Sequence, residues 1–394
     1  MIIDKQLKNL PKKIVFCKTC VVSNQRPRIN FDKKGICDAC NNSIRKNIEI
    51  DWSKREQELK LLLDKHRSKN GGFDVVVPGS GGKDSSYVAN ILKNKYDMNP
   101  LCITCAPFSY TEIGLENINK FIDSGFSNIT FYPRTDIHSK LSKTAFYSVG
   151  DPFLPFIYMQ KSRAFRVAKQ HNIKLIFYGE NGEAEYGGST KQKNNPYEKV
   201  EDVTRTIFKG VGFHELAKQA LKLGFIEKNI LTESISEQYT PPSLKEIKNL
   251  NIQMHWMSYY KKWDPQENFY YSAKFSNFSP KKLGRSEGTY TRHSSLDDLT
   301  DGLHFYLAYI KFGMGRATRD AMTDIYRGHL TRDDGVKLVR KYDGEFPKKD
   351  YRFFKEYCKI TDEEFYNIIN KYKENSNAWK KNKKGKWQLV RQVT

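Results

Sequence analysis

The sequence predicts an α/β fold, in which a parallel sheet is flanked by helices, preceded by a small cysteine-rich unit and followed by a mainly helical region. Three observations lead to this prediction. Short apolar segments alternate with amphipathic ones from about residue 51 to residue 235, a glycine-rich turn follows the first apolar segment, and four cysteines form two close pairs before residue 50. Strands that alternate with helices at this spacing form parallel sheets. We therefore expect domains at residues 1–50, 51–235 and 236–394.

Composition limits the possible settings of the protein. The 394 residues carry a formal net charge of +22 and have a mean hydropathy of −0.69. No apolar run approaches the length of a membrane span, and the first residues lack an apolar signal-peptide core. We expect a cytoplasmic protein with no membrane insertion. The charge favours acidic partners or substrates, although a general bias towards lysine and asparagine explains it about equally well. The lysine-rich tail is expected to be a solvated end.

The first four cysteines fit a metal-binding pattern. Two C-x2-C pairs separated by sixteen residues supply the tetrahedral sulfur set that Zn²⁺ prefers, and four thiolates leave no open position for hydrolysis. We predict a structural zinc in a zinc ribbon held by Cys17, Cys20, Cys37 and Cys40. Cys102 and Cys105 form a further C-x2-C without a second pair, so they and Cys358 are expected to be buried, inert thiols. A redox or iron–sulfur role is the alternative.

The central motif is the loop at residues 79–86. Val75, Val76 and Val77 predict a buried strand, and helical spacing resumes at Tyr87. A glycine-rich turn between a strand and a helix directs backbone N–H groups at one anion, and the helix dipole adds to this attraction. A Walker A loop would need Ser or Thr after Lys83, where Asp84 stands, and the dinucleotide fingerprint would need a third glycine. The loop is therefore predicted to bind phosphate in another way.

Further elements follow in order along the chain. We predict helices at residues 53–70, 112–123 and 154–171, and strands at 101–104, 128–132 and 174–178. Ligands of parallel sheets gather beyond the carboxyl ends of the strands, so residues 80–86, 104–107 and 179–185 should meet in one pocket. The acidic loop at residues 179–188 contains three glutamates. Clustered carboxylates beside a polyphosphate site suit Mg²⁺, for which Glu180, Glu183 and Asp84 are candidates; a solvated acidic loop is the alternative.

Beyond residue 235 the alternation of strands and helices fades. An aromatic stretch at residues 255–265 is interpreted as packing, and helices are predicted at 305–311 and 319–330. Basic residues gather around several glycines in this region, namely Arg285, Arg292, His293, Arg316 and Arg319. Guanidinium groups bind carboxylates and phosphates through two parallel hydrogen bonds. They could hold an acidic substrate, and salt bridges to neighbouring acids are the alternative.

These motifs carry a resemblance to known enzymes. Residues 80–86, SGGKDSS, resemble the PP-loop of Rossmann-like enzymes of the adenine nucleotide alpha hydrolase type, which cleave ATP to AMP and pyrophosphate. With the four cysteines and the motifs at residues 178–188, 262–268, 312–318 and 341–347, the chain resembles the N-acetyl sugar amidotransferases of O-antigen, pseudaminic acid and legionaminic acid biosynthesis. The resemblance runs from Cys17 to about Pro347, and leaves out the N-terminal extension and the basic tail.

The resemblance implies a reaction, its cofactors and its site. The acetamido oxygen of an N-acetylated sugar or nucleotide sugar attacks ATP, and ammonia then displaces AMP to leave an acetamidino group, with ATP, Mg²⁺ and a structural Zn²⁺ required. The expected catalytic residues are Lys83, Asp84 and Glu183, with Asp84 and Glu183 also holding Mg²⁺. ATP would be bound by Gly79, Ser80, Gly81, Gly82, Lys83, Asp84, Ser85, Ser86, Thr104 and Gly179, and the sugar by Glu180, Asn181, Tyr186, Arg285 and Arg316.

Ammonia requires a source outside this chain. None of the three cysteines left after the zinc assignment lies in a nucleophile context, so we predict a separate glutaminase subunit, with a cyclase-like channel protein as a further candidate partner. The rival class is a tRNA-thiolating PP-loop enzyme, which would need a sulfur carrier that Cys102, Cys105 and Cys358 fit poorly. The hypothesis of a non-enzymatic zinc-ribbon adaptor for nucleic acid is weaker still, because the phosphate-binding motif at residues 80–86 is intact. Nucleic acid is therefore not the expected partner.

Overall fold

A five-stranded parallel sheet forms the centre of the protein. The computed structural model describes residues 2–188, 193–198 and 208–394. The strand order is β3-β2-β1-β4-β5, where the strands are β1 Val75–Pro78, β2 Pro100–Cys105, β3 Ser127–Phe131, β4 Leu175–Tyr178 and β5 Gln253–Trp256. The chain proceeds from β1 to one side of the sheet and returns on the other side at β4, which makes the boundary between β1 and β4 a topological switch point. The predicted α/β fold is confirmed.

Helices cover both faces of the sheet and build the C-terminal region. The helices of the described residues are α1 Asp38–Ile48, α2 Trp52–His66, α3 Lys83–Tyr96, α4 Glu112–Asp123, α5 Thr135–Val149, α6 Leu154–Gln170, α7 Gly182–Glu185, α8 Phe213–Lys222, α9 Glu233–Tyr239, α10 Leu244–Asn249, α11 Met257–Tyr260, α12 Pro265–Ser276, α13 Asp301–Phe312, α14 Arg316–Arg327, α15 Arg332–Tyr342, α16 Lys348–Cys358 and α17 Asp362–Glu374. Within the described ranges, we find no helix with the length and apolarity that a membrane span requires.

Alternation along β1 explains why both sheet faces are apolar. Val75 and Val77 belong to one buried cluster with residues of α3, whereas Val76 belongs to the cluster on the opposite face, which includes residues of α6. Successive side chains of a strand point to opposite faces, and a parallel sheet covered on both faces therefore needs a continuous apolar run. The valine run at residues 75–77 meets this requirement.

The fifth strand, β5, differs from the sequence prediction. It pairs in parallel with β4, with Leu175 opposite Gln253 and Tyr178 opposite Trp256, although we interpreted residues 255–265 as packing alone. The segment contains no β-branched residue, so its extended form comes from pairing with β4 rather than from local preference. The domain boundary drawn after residue 235 therefore divides the sheet.

The C-terminal tail exposes its lysines, as expected, but it is also folded and anchored at its apolar residues. Its strands β6 Trp379–Lys381 and β7 Trp387–Leu389 form an antiparallel hairpin. Val393 is buried in the same cluster as the four paired cysteines, and Arg340 donates a hydrogen bond to its carbonyl oxygen at 2.9 Å. The apolar residues between the lysines anchor the tail. Because lysines dominate the composition of the tail, the sequence did not indicate this anchoring.

Candidate active site

The loop at residues 79–86 leaves β1 at the switch point and opens α3. Gly82 precedes α3 and no side chain caps the helix N-terminus, so N–H groups of the first turn remain available to an anion. Gly81 has a φ of +77°, and a Cβ atom there would lie 2.6 Å from the Cα atom of Ile118. Only glycine allows both this conformation and this approach to α4. The geometry is that of a phosphate-binding loop.

A first cavity of about 410 Å³ opens at this edge of the sheet, within the usual range for ligand pockets. The predicted residues that line it are Gly79, Ser80, Gly82, Lys83, Asp84, Ser85, Gly179, Glu180 and Arg316. The loops after β1 and β4 thus converge as the topology required. Gly81 and Ser86 support the turn from behind, since the buried Ser86 hydroxyl donates a hydrogen bond to the Gly81 carbonyl oxygen at 3.3 Å.

Thr104 does not join the first cavity. Ile103 and Cys105 are among its described lining residues, and because strand side chains alternate, Thr104 between them faces the other side of the sheet. Its hydroxyl donates to the Asn128 side chain at 3.0 Å. The expected role of Thr104 in ATP binding therefore has no support from its position.

Lys83 and Asp84 are held at the end of the loop by α12. The Lys83 ammonium pairs with the Asp84 carboxylate, whose other oxygen accepts a hydrogen bond from Asn268 at 2.9 Å. Ser272 donates to the Lys83 carbonyl oxygen at 2.6 Å. Burial alone would raise the pKa of Asp84, but the adjacent Lys83 charge outweighs it and holds the pKa below its usual value. Asp84 is therefore an anion at neutral pH.

A second cavity of about 470 Å³ adjoins the first. Both are lined by Lys83, Asp84, His293, Ser294 and Arg316. The second cavity adds the aromatic side chains of Tyr186, Phe269, Tyr270 and Tyr290 and the guanidinium groups of Arg292 and Arg319. Two chemically different cavities thus meet at the Lys83–Asp84 pair.

Glu180 is the carboxylate of the acidic loop that lines the first cavity. Its carboxylate accepts a hydrogen bond from the Tyr186 hydroxyl at 2.9 Å and pairs with Arg319 at 3.5 Å, whose guanidinium carbon lies 4.0 Å from the centre of the Tyr186 ring. Burial and the nearby Asp84 carboxylate raise the pKa of Glu180. The predicted residue Asn181 has a local role, because its side chain caps α7 by accepting from the Glu183 N–H at 3.1 Å.

Glu183 is placed differently from the expected magnesium ligand. It is not among the described residues that line the first cavity. Its carboxylate accepts two hydrogen bonds from Arg28, one of them from Nε at 2.9 Å. Glu185 pairs with Lys46 and, at 3.5 Å, with Arg327. Two of the three carboxylates of the acidic loop therefore connect this loop to neighbouring elements.

Four charged residues that line the first cavity were missed by the sequence interpretation, namely Lys161, Asp297, Asp298 and Asp301. Lys161 on α6 points its ammonium at the Tyr178 ring, 3.5 Å from the ring centre, and burial lowers its pKa to about 8. Asp297 accepts a hydrogen bond from the Ser80 hydroxyl, and burial raises its pKa to about 6. Lys161 could have been noticed as a cation on the helix before β4, whereas nothing local to Asp297 distinguishes it from other acids.

The arginines of the C-terminal region have separate partners. Arg285 forms two hydrogen bonds with Glu345, both at 2.6 Å, and is not among the described residues of either cavity. Arg316 lines both cavities while its Nε donates to Asp320 at 2.9 Å. The salt-bridge alternative therefore describes Arg285, whereas Arg316 retains access to a ligand.

The four paired cysteines form one compact group. Their ligand atoms all lie within 4.8 Å of one another, with 4.0 Å between the sulfurs of Cys17 and Cys40 and 3.7 Å between those of Cys20 and Cys37. Four sulfurs about 2.3 Å from a tetrahedral ion would be about 3.8 Å apart, so the group fits a single ion. The surrounding unit packs against α14 and α15, rather than presenting a separate module.

The remaining cysteines are dispersed. Cys102 and Cys105 are buried in different apolar clusters, and burial raises the pKa of each thiol to about 12. Cys358 lies in a third cluster between helices. Among the described residues, the four paired cysteines are the only group of three or more ligand side chains close enough together to hold one metal ion. Burial of these three thiols agrees with the prediction.

Comparisons with known proteins agree with the family resemblance. Residues 287–394 match the family described as LPS biosynthesis protein WbpG-like, C-terminal domain. This match confirms the resemblance over the C-terminal part of the chain and includes the basic tail that the motifs left out. An uncharacterized protein of Methanocaldococcus jannaschii, MJ1599, is 31% identical over 88 residues, which are 22% of this chain and 31% of the relative. The chain thus spans less than a third of the length of that curated relative.

Several solved structures are similar to parts of this chain. The NH3-dependent NAD synthetase of Campylobacter jejuni is 17% identical over 60% of this chain and all of that chain, with a TM-score of 0.28. The U34-tRNA thiolase NcsA of Methanococcus maripaludis, solved with its [4Fe-4S] cluster, is 13% identical over 70% of this chain and 79% of that chain, also with a TM-score of 0.28. At such low TM-scores these similarities carry no argument about function.

Proposed function

We propose that this protein is an ATP-dependent amidotransferase of lipopolysaccharide O-antigen or related surface-glycan biosynthesis. It adenylates the acetamido oxygen of an N-acetylated sugar or nucleotide sugar and replaces that oxygen with ammonia. The observation that carries the proposal is the pair of adjoining cavities that share Lys83 and Asp84. One cavity contains a phosphate-binding loop, and the other has the aromatic and cationic lining that suits an anionic sugar. The family match at residues 287–394 supports the biosynthetic setting.

The chemistry explains why two substrates must meet at one point. The acetamido oxygen attacks the α-phosphorus of ATP, the bond to the bridging oxygen breaks, and pyrophosphate leaves. The product is an O-adenylyl imidate, whose carbon is then attacked by ammonia. AMP departs with the former acetamido oxygen, and loss of a proton leaves the acetamidino group. An amide oxygen is a poor leaving group, and its conversion to a phosphate ester supplies a good one.

The residues of the first cavity have distinct roles in this reaction. The N–H groups at the start of α3 and the Lys83 ammonium would stabilise the charge that develops on pyrophosphate. Lys161, which also lines the cavity, would supply a further cation. Mg²⁺, when bound, would neutralise phosphate charge, and Asp84, which is ionised and lines the cavity, is the carboxylate best suited to hold it.

The second cavity is proposed to bind the sugar. Phe269 and Tyr270 offer apolar ring faces, and Arg316 offers the guanidinium nitrogens that Asp320 does not occupy. Tyr186 and Arg319 close the side next to Glu180. Sugar rings pack on aromatic faces, and guanidinium groups bind carboxylates or phosphates. This arrangement favours a sugar that carries a negative charge, either on its own ring or on a nucleotide carrier.

Ammonia is proposed to come from a separate glutaminase subunit in the cytoplasm, with a cyclase-like channel protein as a further partner. The described cysteines outside the four-sulfur group are buried and carry raised pKa values, which disfavours a nucleophilic role. The four-sulfur group is proposed to hold a structural Zn²⁺, because its spacing suits one tetrahedral ion. Its sulfurs leave no open coordination position for catalysis.

Acceptor-dependent exchange between ATP and pyrophosphate tests the proposal. A panel of nucleotide-activated diacetamido sugars should contain one that stimulates exchange, and with ammonium the product should be about one mass unit lighter because NH replaces O. Lys83→Met should reduce exchange by about 10²- to 10³-fold, whereas Lys93→Met, on the same helix but outside both cavities, should retain it. Stimulation by tRNA with no response to any sugar would refute the proposal in favour of thiolation.

A further inference from the structure

Asp297 brings a carboxylate from the C-terminal region onto the phosphate-binding loop. The Ser80 hydroxyl donates a hydrogen bond to Asp297 Oδ2, and a Cβ atom built on Gly82 would lie 3.4 Å from the same oxygen. Gly82 is the residue that precedes α3, so the carboxylate stands beside the N–H groups of the first turn. A negative group therefore faces the place where the loop would hold pyrophosphate.

The backbone around Asp297 is firmly held. The Thr111 N–H donates to the Asp297 carbonyl oxygen at 3.2 Å, and the Thr111 hydroxyl donates to the Leu296 carbonyl oxygen. A Cβ atom on Gly114 would lie 2.7 Å from the Asp297 carbonyl oxygen, so α4 and this segment are in direct contact. Asp297 is a fixed part of the cavity wall rather than a group on a loose lid.

A fixed carboxylate beside a polyphosphate is unfavourable unless a cation lies between them. Lys83 is the cation of the loop, and its ammonium already pairs with Asp84. Mg²⁺ in nucleotide sites is bound through one or two carboxylates together with the substrate phosphates. The cavity offers such a pair, because Asp84 and Asp297 both line it.

We propose that Asp297 is the second carboxylate ligand, with Asp84, of the Mg²⁺ that accompanies ATP. This inference rests on the proposed function. It assigns to the C-terminal region a ligand that the acidic loop was expected to provide, since Glu183 is bound by Arg28. The C-terminal region thereby completes the ATP site as well as the sugar site.

Binding of α,β-methylene-ATP without any sugar tests the assignment. Titration calorimetry in EDTA and in Mg²⁺ compares the native protein with Asp297→Asn and with Asp136→Asn, a matched control whose carboxylate pairs with Arg134 at 2.7 Å and lies outside both cavities. Asparagine keeps an acceptor for Ser80. For Asp297→Asn we expect at least about tenfold weaker binding in Mg²⁺ and stronger binding in EDTA, because a repulsive charge is gone. Asp136→Asn should bind the nucleotide like the native protein in both media.

The outcomes separate the two proposals. The ligand assignment is overturned if Asp297→Asn binds the nucleotide more weakly in both media. It is also overturned if the ratio of nucleotide affinity in Mg²⁺ to that in EDTA is the same for Asp297→Asn as for the native protein. The ligand assignment is supported if Asp297→Asn, but not the control variant, loses the electron paramagnetic resonance signature of Mn²⁺ in the nucleotide complex. Failure of the native protein to bind the nucleotide overturns both proposals. Normal metal-dependent binding without sugar-stimulated exchange overturns the amidotransferase function alone.

Discussion

Replacement of Asp4 by alanine should destabilise the protein by leaving a buried ammonium without its counter-ion. Lys311 on α13 donates to Asp4 Oδ2 at 2.7 Å and to the Val149 carbonyl oxygen at 2.9 Å. The two charged side chains are 2% and 0% exposed, so the ammonium left behind is shielded from bulk water. Removal of one partner of a buried ion pair costs about 3–5 kcal/mol.

The expected effect can be measured by thermal unfolding. Unfolding entropy of about 2.1 cal/mol/K per residue gives about 0.8 kcal/mol/K for a chain of this length, so Asp4→Ala should lower Tm by about 4–6 °C. The double variant Asp4→Ala/Lys311→Met removes both charges and should recover most of this loss. Lys5 provides the control, because its ion pair with Glu215 is 54% and 38% exposed. Lys5→Ala should change stability by less than about 0.5 kcal/mol.

The pattern among the variants decides whether charge burial is the cause. A loss of less than about 1 kcal/mol for Asp4→Ala would refute the argument, since an unpaired buried charge cannot be that cheap. A double variant no more stable than Asp4→Ala would also contradict it, because packing rather than charge would then dominate. The result bears on function, since α13 begins at Asp301 in the wall of the first cavity.

Three further predictions concern the site. Because the pKa of Lys161 is lowered to about 8, its positive charge is present below that pH and lost above it. The affinity for α,β-methylene-ATP, measured by calorimetry, should therefore fall severalfold between about pH 7 and 9. Lys161→Arg should remove this pH dependence, because arginine keeps its charge throughout this range. Mass spectrometry of the metal should find about one zinc per chain, and Cys17→Ser should lower that content and raise protease sensitivity of the acidic loop that Arg28 holds. Cys102→Ser and Cys105→Ser should leave sugar amidation intact, measured by the product mass, whereas a thiolating enzyme would lose activity.

Most of the sheet and the loop at residues 79–86 could be predicted from short stretches of sequence. The valine run at residues 75–77 predicts its strand because a doubly covered parallel sheet requires continuous apolar residues. The glycines and Lys83 predict anion binding for a similarly local reason. By contrast, β5 exists through its pairing with β4, and Asp297 acts on a loop more than two hundred residues earlier. Such partners are determined by tertiary packing, which no short pattern encodes.

The roles of the arginines could not be predicted from the sequence either, for a chemical reason. A guanidinium group binds a carboxylate of its own chain as readily as one on a ligand, so residue type could not decide between salt bridge and substrate site. Position decides it: Arg285 pairs with Glu345 outside the cavities, whereas Arg316 stands where the two cavities meet.

The acidic loop connects the parts of the molecule that the sequence separates. Its three carboxylates pair with different elements: Glu183 with Arg28 of the cysteine-rich unit, Glu185 with Lys46 and Arg327, and Glu180 with Arg319. Since Glu180 also lines the first cavity, displacement of the cysteine-rich unit would be transmitted to the cavity wall through this loop. A metal held by the four cysteines would therefore influence the first cavity through the position of this loop, without lining the cavity itself.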